Sequence, residues 1–241
     1  MRWLYISPHL DDAVLSAGGL IYEQTKSVTP VEIWTVLSGV PQSTELSTFA
    51  QVMHHLWGTT SAEETVRVRR VEDVNAASIL SAQTVHFDFL DCLYRRGKNG
   101  DWLYADVYQP PHEEDADIPR QIAETVAPRL LPDDILACPL ALGSHVDHVL
   151  VRQALEMLGC PLLYYADIPY LFHNPDALSP ITAGMRETVY PVSESGLRSW
   201  QEAVNAYSSQ LSTLFDSPVA LHEAIRSYYE QQGGIRLWNF V

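Results

Sequence analysis

Short apolar runs alternate with helical stretches along this chain, and that alternation restricts the fold more than any other feature. Trp3 to Ser7 is a compact strand candidate that breaks at Pro8, and Val14, Ala17 and Ile21 then follow at helical spacing, ending near Lys26. Val31 to Leu37 is rich in β-branched and aromatic residues and reads as a second strand. Residues 59–96 contain neither Gly nor Pro, so Glu63 to Leu80 predicts a long helix, with Thr84 to Leu90 as the next strand. Ile118, Ile122, Val126 and Leu130 share a helix face ahead of the short strand Ile135–Cys138, which Pro139 closes. Val149 to Leu158 predicts another helix and Leu162 to Ala166 another buried strand. Ala203, Tyr207, Leu211 and Leu214 lie on one helical face, and Pro218 opens a last helix carrying Leu221, Ile225 and Tyr228. Strands separated by helices form βαβ units and a mostly parallel sheet. The expected fold is therefore α/β: a single doubly wound, Rossmann-like domain over residues 1–241 with helices on both faces. No repeat, low-complexity tract or flexible linker divides it.

Sheets of this kind bind ligands outside the C-terminal ends of their strands, so reactive residues are expected just after strands. Two clusters stand there. The first is Ser7-Pro8-His9-Leu10-Asp11-Asp12, between the first strand and the first helix. His9 and Asp12 offer a nitrogen and an oxygen at a spacing that a tight turn can direct to one ion. A single Asp here would read as a helix N-cap. Two adjacent Asp and a His exceed what a cap requires, because crowding like charges costs energy unless a cation offsets it. The second cluster, Gly143-Ser144-His145-Val146-Asp147-His148, follows the strand Ile135–Cys138, and Asp147 can reach either imidazole. More than half of the chain separates the clusters, and a parallel sheet is what brings them together. Jointly they predict a metal site.

Composition removes other classes. Acidic residues outnumber basic ones 30 to 15, for a net charge of −15, and such a field repels nucleic acid and anionic membrane surfaces. Hydrophobic residues make up 46%, enough for a proper core. No run approaches the roughly 18 apolar residues of a membrane helix, and His9, Asp11 and Asp12 interrupt the N-terminal apolar run too early for a signal peptide. A cytoplasmic protein without an integral membrane segment is expected, with a homo-oligomer left open. Cys92, Cys138 and Cys160 form no CxxC pattern and read as reduced thiols. Pro8–Gly19 lacks GxGxxG, with Gly18-Gly19 inside the helix, which excludes a dinucleotide-binding turn. Neither Ser7 nor Ser38 has a nucleophile elbow, so a serine hydrolase is not supported.

With these residues in view, the chain resembles the PIG-L/LmbE-like zinc-dependent de-N-acetylases, which act on N-acetylglucosamine derivatives and related amides. Their (A/S)HPDDE and HxDH signatures stand here as Ser7-Pro8-His9-Leu10-Asp11-Asp12-Ala13 and His145-Val146-Asp147-His148. Arg69-Arg70-Val71-Glu72 with Ala76 resembles the family's RxxExxxA helix, and Ala203 to Gln210 its A…SQ helix. Leu10 replaces the usual Pro and Ala13 the usual Glu, neither of them a metal ligand in the family pattern.

The resemblance implies His9, Asp12 and His148 as ligands of Zn2+, with Fe2+ or Co2+ also acceptable to such a donor set. It implies Asp11 as general base and His145 as oxyanion stabiliser, with Asp147 orienting the His145 ring and favouring its charged form. The implied partner is a small N-acetylated sugar or glycoconjugate. A non-sugar acyl amide is a competing substrate, and a sugar- or metal-binding module without turnover a competing role; the latter would not need Asp11, His145 and Asp147 together. Arg69 fits a substrate contact or a surface ion pair. Asp91, Tyr94 and Arg95 resemble a D..YR segment of some family members and are expected at the substrate. Trp102, Tyr104 and Tyr108 fit ring stacking or a local cluster, while His54, His55 and Trp57 fit a lid or a plain helix face.

Overall fold

A computed structural model describes residues 1–240. The strands are β1 Arg2–Ser7, β2 Val31–Thr35, β3 Gln83–His86, β4 Asp134–Pro139, β5 Leu162–Tyr165, β6 Met185–Pro191 and β7 Gly234–Phe240. The helices are α1 Asp12–Lys26, α2 Thr48–Trp57, α3 Ala62–Ile79, α4 Ile118–Val126, α5 Val146–Glu156, α6 Tyr170–His173, α7 Leu178–Ile181, α8 Glu194–Asn205, α9 Ser208–Leu214 and α10 Pro218–Gln232.

One sheet runs in the order β3-β2-β1-β4-β5-β7-β6. The pairings from β3 through β5 are parallel, and β7 joins β5 and β6 antiparallel. The fold is thus α/β with a mostly parallel sheet. Helices α1, α3, α8 and α10 associate as one group and α4 with α5 as another. The chain runs outward from β1 through β2 to β3, then returns to place β4 on β1's other side. The topological switch point lies between β1 and β4, where the two sequence clusters emerge.

The antiparallel end carries no βαβ signal, so neither of its strands is expected from the sequence pattern. β6 is a largely exposed edge strand, whereas β7 buries Ile235, Leu237 and Trp238. Three further boundaries differ. β3 stops at His86, four residues short of the predicted end; beyond it the chain leaves the ladder, and Ser38 Oγ and the Gly39 N–H donate to the Phe87 and Phe89 carbonyls. The helical face across residues 203–214 belongs to two helices, broken at Tyr207, whose hydroxyl donates to Asp73 at 2.7 Å. Finally, α5 starts at Val146, three residues early, so Asp147 and His148 occupy its first turn.

Gly18 explains the paired glycines inside α1. A Cβ there would sit 2.5 Å from Cδ1 of Trp200, which is fully buried and donates from Nε1 to the Val14 and Leu15 carbonyls. The pair is a docking face for α8. Among the described residues, no helix is long and apolar enough to cross a membrane.

Candidate metal centre

The turn after β1 carries His9, Asp11 and Asp12. Its backbone is tied locally: Ser7 Oγ donates to the His9 carbonyl and accepts from the Ala13 N–H, and the His9 N–H donates to Asp12 Oδ2 at 2.8 Å. Asp11 occupies the N-cap position of α1, but its side chain accepts no helix N–H. The carboxylate is therefore buried without acting as a cap. Burial and the neighbouring Asp12 charge push its carboxyl up to about 6, partly opposed by Arg69.

The turn after β4 is strained. Ala141, Gly143 and Ser144 all adopt positive φ, which is uncommon for the two that carry a side chain. It delivers His145 to the N-cap of α5, where His145 Nδ1 accepts the Asp147 N–H at 3.1 Å. The three imidazoles of His9, His145 and His148 lie with ring centres 4.8 to 5.3 Å apart. One donor atom from each of His9, Asp12 and His148 lies within 4.8 Å of the others.

The remaining ring nitrogens are already occupied. His9 Nε2 lies 2.9 Å from Asp147 Oδ2, leaving Nδ1 to face Asp12 at 3.2 Å. His148 Nδ1 lies 2.6 Å from Asp167 Oδ1, leaving Nε2 to face Asp12 at 3.3 Å. A buried carboxylate behind each imidazole fixes its tautomer and turns the other nitrogen toward one point, the usual support of a metal ligand. The set of two imidazoles and one carboxylate suits Zn2+ and leaves a coordination position free. Burial opposes charge on His148, but Asp12 and Asp167 push it up to about 9. Burial would raise the Asp12 carboxyl, but His148 and His9 hold it well below the usual range. Asp147 also lies within ligand distance of His9 and His145. However, its oxygens are committed to Arg95, His9 and the Cys92 N–H, which makes it a poor donor.

One expectation about the implied roles needs correction. The Asp147 carboxylate does not orient His145; it faces His9 and Arg95, and only its backbone N–H meets the His145 ring. Because His145 Nδ1 accepts the Asp147 N–H, a single ring proton sits on Nε2. Burial, then the neighbouring His9 and His148, push the imidazole well below its ordinary value, while Asp147 pulls toward the charged form.

A cavity of about 160 Å³ opens on these groups. Arg69 and Asp91 line it. Arg69 is buried, with nitrogens 3.6 Å from Asp11 and 3.9 Å from Asp91, and its Nε has no hydrogen-bond partner. Tyr94 and Arg95 do not line it. The 3-10 turn Cys92–Tyr94 sends them inward, Tyr94 to His54 Nε2 at 2.7 Å and Arg95 between Asp147 and Asp115. Tyr104 and Trp102 stack on Arg95 and Arg96 as a local cluster, and His54 sits on a helix. The two helix segments resembling the family meet: Glu72 accepts from Ser208 Oγ and from Ser209 N and Oγ, which fixes α9 with Gln210 on the cavity.

Asp167 was not anticipated. It follows β5 with one residue between, at the C-terminal edge of the sheet where both clusters also lie. It accepts the Leu142 N–H as well as holding His148, so it ties the strained turn to the His148 imidazole. Asp167→Asn is expected to weaken metal affinity roughly 10–100-fold, read by competition with a chromogenic chelator. Unchanged affinity would remove Asp167 from the metal's support.

Residues 4–158 match the family model described as PIG-L, GlcNAc-PI de-N-acetylase. The chain is 27% identical to the 2'-N-acetylparomamine deacetylase of Niallia circulans, covering 88% of this chain and 82% of that one. Among solved structures, it is similar to a deacetylase–bog complex from the biosynthesis pathway of teicoplanin, with a TM-score of 0.89 and 29% identity over 99% of this chain and 97% of that one. The zinc-inhibited form of teicoplanin deacetylase matches with a TM-score of 0.86, 29% identity and the same coverage.

Proposed function

The chain belongs to the PIG-L, GlcNAc-PI de-N-acetylase family, and on that premise we propose that it is a zinc-dependent hydrolase removing an N-acetyl group from an amino sugar or glycoconjugate. One observation carries this reading: the His9–Asp12–His148 donor set, the uncapped Asp11 carboxylate and the His145 imidazole all line a single cavity. The relatives are deacetylases by name, of paromamine and teicoplanin type.

His9, Asp12 and His148 would hold a divalent ion, which would supply Lewis acidity for the amide carbonyl and for the attacking water. Asp11 takes the proton of the attacking water. The water oxygen bonds to the carbonyl carbon, and the carbonyl oxygen gains negative charge. His145 Nε2–H donates to that oxygen, a contact that strengthens as charge develops. When the C–N bond breaks, Asp11 returns the proton to the leaving nitrogen, so that acetate and an amine result. Asp147 acts through His9, keeping Nδ1 free, with Arg95 balancing its charge. Arg69 and Asp91 offer a donor and an acceptor to sugar hydroxyls; Tyr94 and Arg95 support that wall from behind.

The test is acetate release from a panel of N-acetylated glycosides and sugar-free acyl amides. Activity is expected on the glycosides, lost on chelation and restored by Zn2+, Fe2+ or Co2+. Turnover of only the sugar-free amides would reassign the substrate, and activity indifferent to chelation would overturn the metal assignment.

A further inference from the structure

We propose that the α2 side of the cavity is a binding site for an apolar aglycone carried by the amino sugar. This rests on the deacetylase reading and specifies its substrate class. Phe49, Met53 and Trp57 recur every four residues and so share one side of α2. All three line the cavity that contains His9, Asp12 and His148, and Leu93 and Leu214 continue the same surface. The cavity is therefore divided. Arg69 marks the division: its guanidinium carbon lies 5.0 Å from the Trp57 ring centre, while its nitrogens face Asp11 and Asp91. A sugar held by Arg69 and Asp91 has its substituents beside Trp57.

The apolar surface does not end as a methyl-sized recess. Phe49, Met53 and Trp57 are only half-buried, and next to them Val52 and Leu56 are 53% and 51% exposed, so the face runs from the cavity out to solvent. Neither an acetyl methyl nor a free sugar needs such a surface, whereas an apolar group on the sugar would cover it, at roughly 25 cal/mol per Å² removed from water. The wall is also preformed: Trp57 Nε1 donates to Thr213 Oγ1 at 3.4 Å, joining α2 to α9. Its occupant belongs to the substrate because the wall and the donor set share one cavity.

The metal-loaded protein is assayed with the methyl and phenyl β-glycosides of N-acetylglucosamine. In parallel, calorimetry compares binding of methyl and phenyl β-glucoside, which contain no amide. The phenyl compounds are expected to be preferred roughly tenfold or more, mainly through KM. Met53→Gln is expected to lower the phenyl-to-methyl ratio, whereas Met53→Leu retains it. Equal constants in the unaltered protein, or a ratio indifferent to Met53→Gln, would overturn the aglycone site. Preferential binding of phenyl glucoside without acetate release from either glycoside would sink the deacetylase reading and leave the wall standing. Acetate release without phenyl preference would do the reverse.

Discussion

Asp11→Asn is expected to lower kcat by about 10²- to 10⁴-fold while metal content stays unchanged. The substitution keeps the shape of the side chain and removes the site that receives the proton. It disturbs little else, because the Asp11 side chain does not cap α1 and its nearest cation, Arg69, is 3.6 Å away. Burial and Asp12 already disfavour the Asp11 carboxylate, so a neutral amide relieves a cost and the variant is expected to melt no lower than the parent. Loss of turnover without loss of stability or metal identifies a group kept for chemistry at the expense of the fold. Normal acetate release from a metal-replete Asp11→Asn protein would end its assignment as base.

Arg95→Met is expected to destabilise the metal-free protein by about 3–5 kcal/mol, the usual cost of stripping one partner from a buried ion pair. Arg95 is buried and pairs with Asp115 at 2.7 Å and with the fully buried Asp147. Burial alone would raise the Asp147 carboxyl, but Arg95 and His9 hold it well below the carboxylate range. A depressed folded pKa contributes stability that is present above the unfolded value and lost as pH falls through the folded one. Removing Arg95 raises that folded pKa, so the gap between parent and variant is widest at neutral pH and narrows as pH falls through the carboxylate range. Denaturant unfolding at several pH values checks this. A gap that is small at neutral pH, or that grows in acid, would show that Arg95 does not stabilise an ionised Asp147.

The residues that were legible share a position: His9, Asp11 and Asp12 directly follow β1, and the His145–His148 group follows β4, where a doubly wound sheet gathers ligands. Asp167 obeys the same rule but is a lone Asp, with no neighbouring His or Asp to distinguish it from an ordinary loop residue. Tyr94 and Arg95 follow Asp91 in sequence, yet a single 3-10 turn points them away from the cavity, and spacing along the chain does not encode that rotation. Asp147 could reach either imidazole by sequence distance, and Arg95, remote in sequence, draws its carboxylate toward His9. The antiparallel strands β6 and β7 lay outside the βαβ pattern that revealed the rest of the sheet.

The proposed donors His9, Asp12 and His148, and the Asp147 and Asp167 carboxylates behind the two imidazoles, come from three separate crossings of the sheet. Contacts this distant in sequence form late, after loop-closure entropy has been overcome. A nascent chain that ends before β5 already contains every donor but lacks the anchor for His148. On the proposed assignment, full metal affinity therefore needs the chain folded through Asp167, and metal binding would report that folding has reached β5.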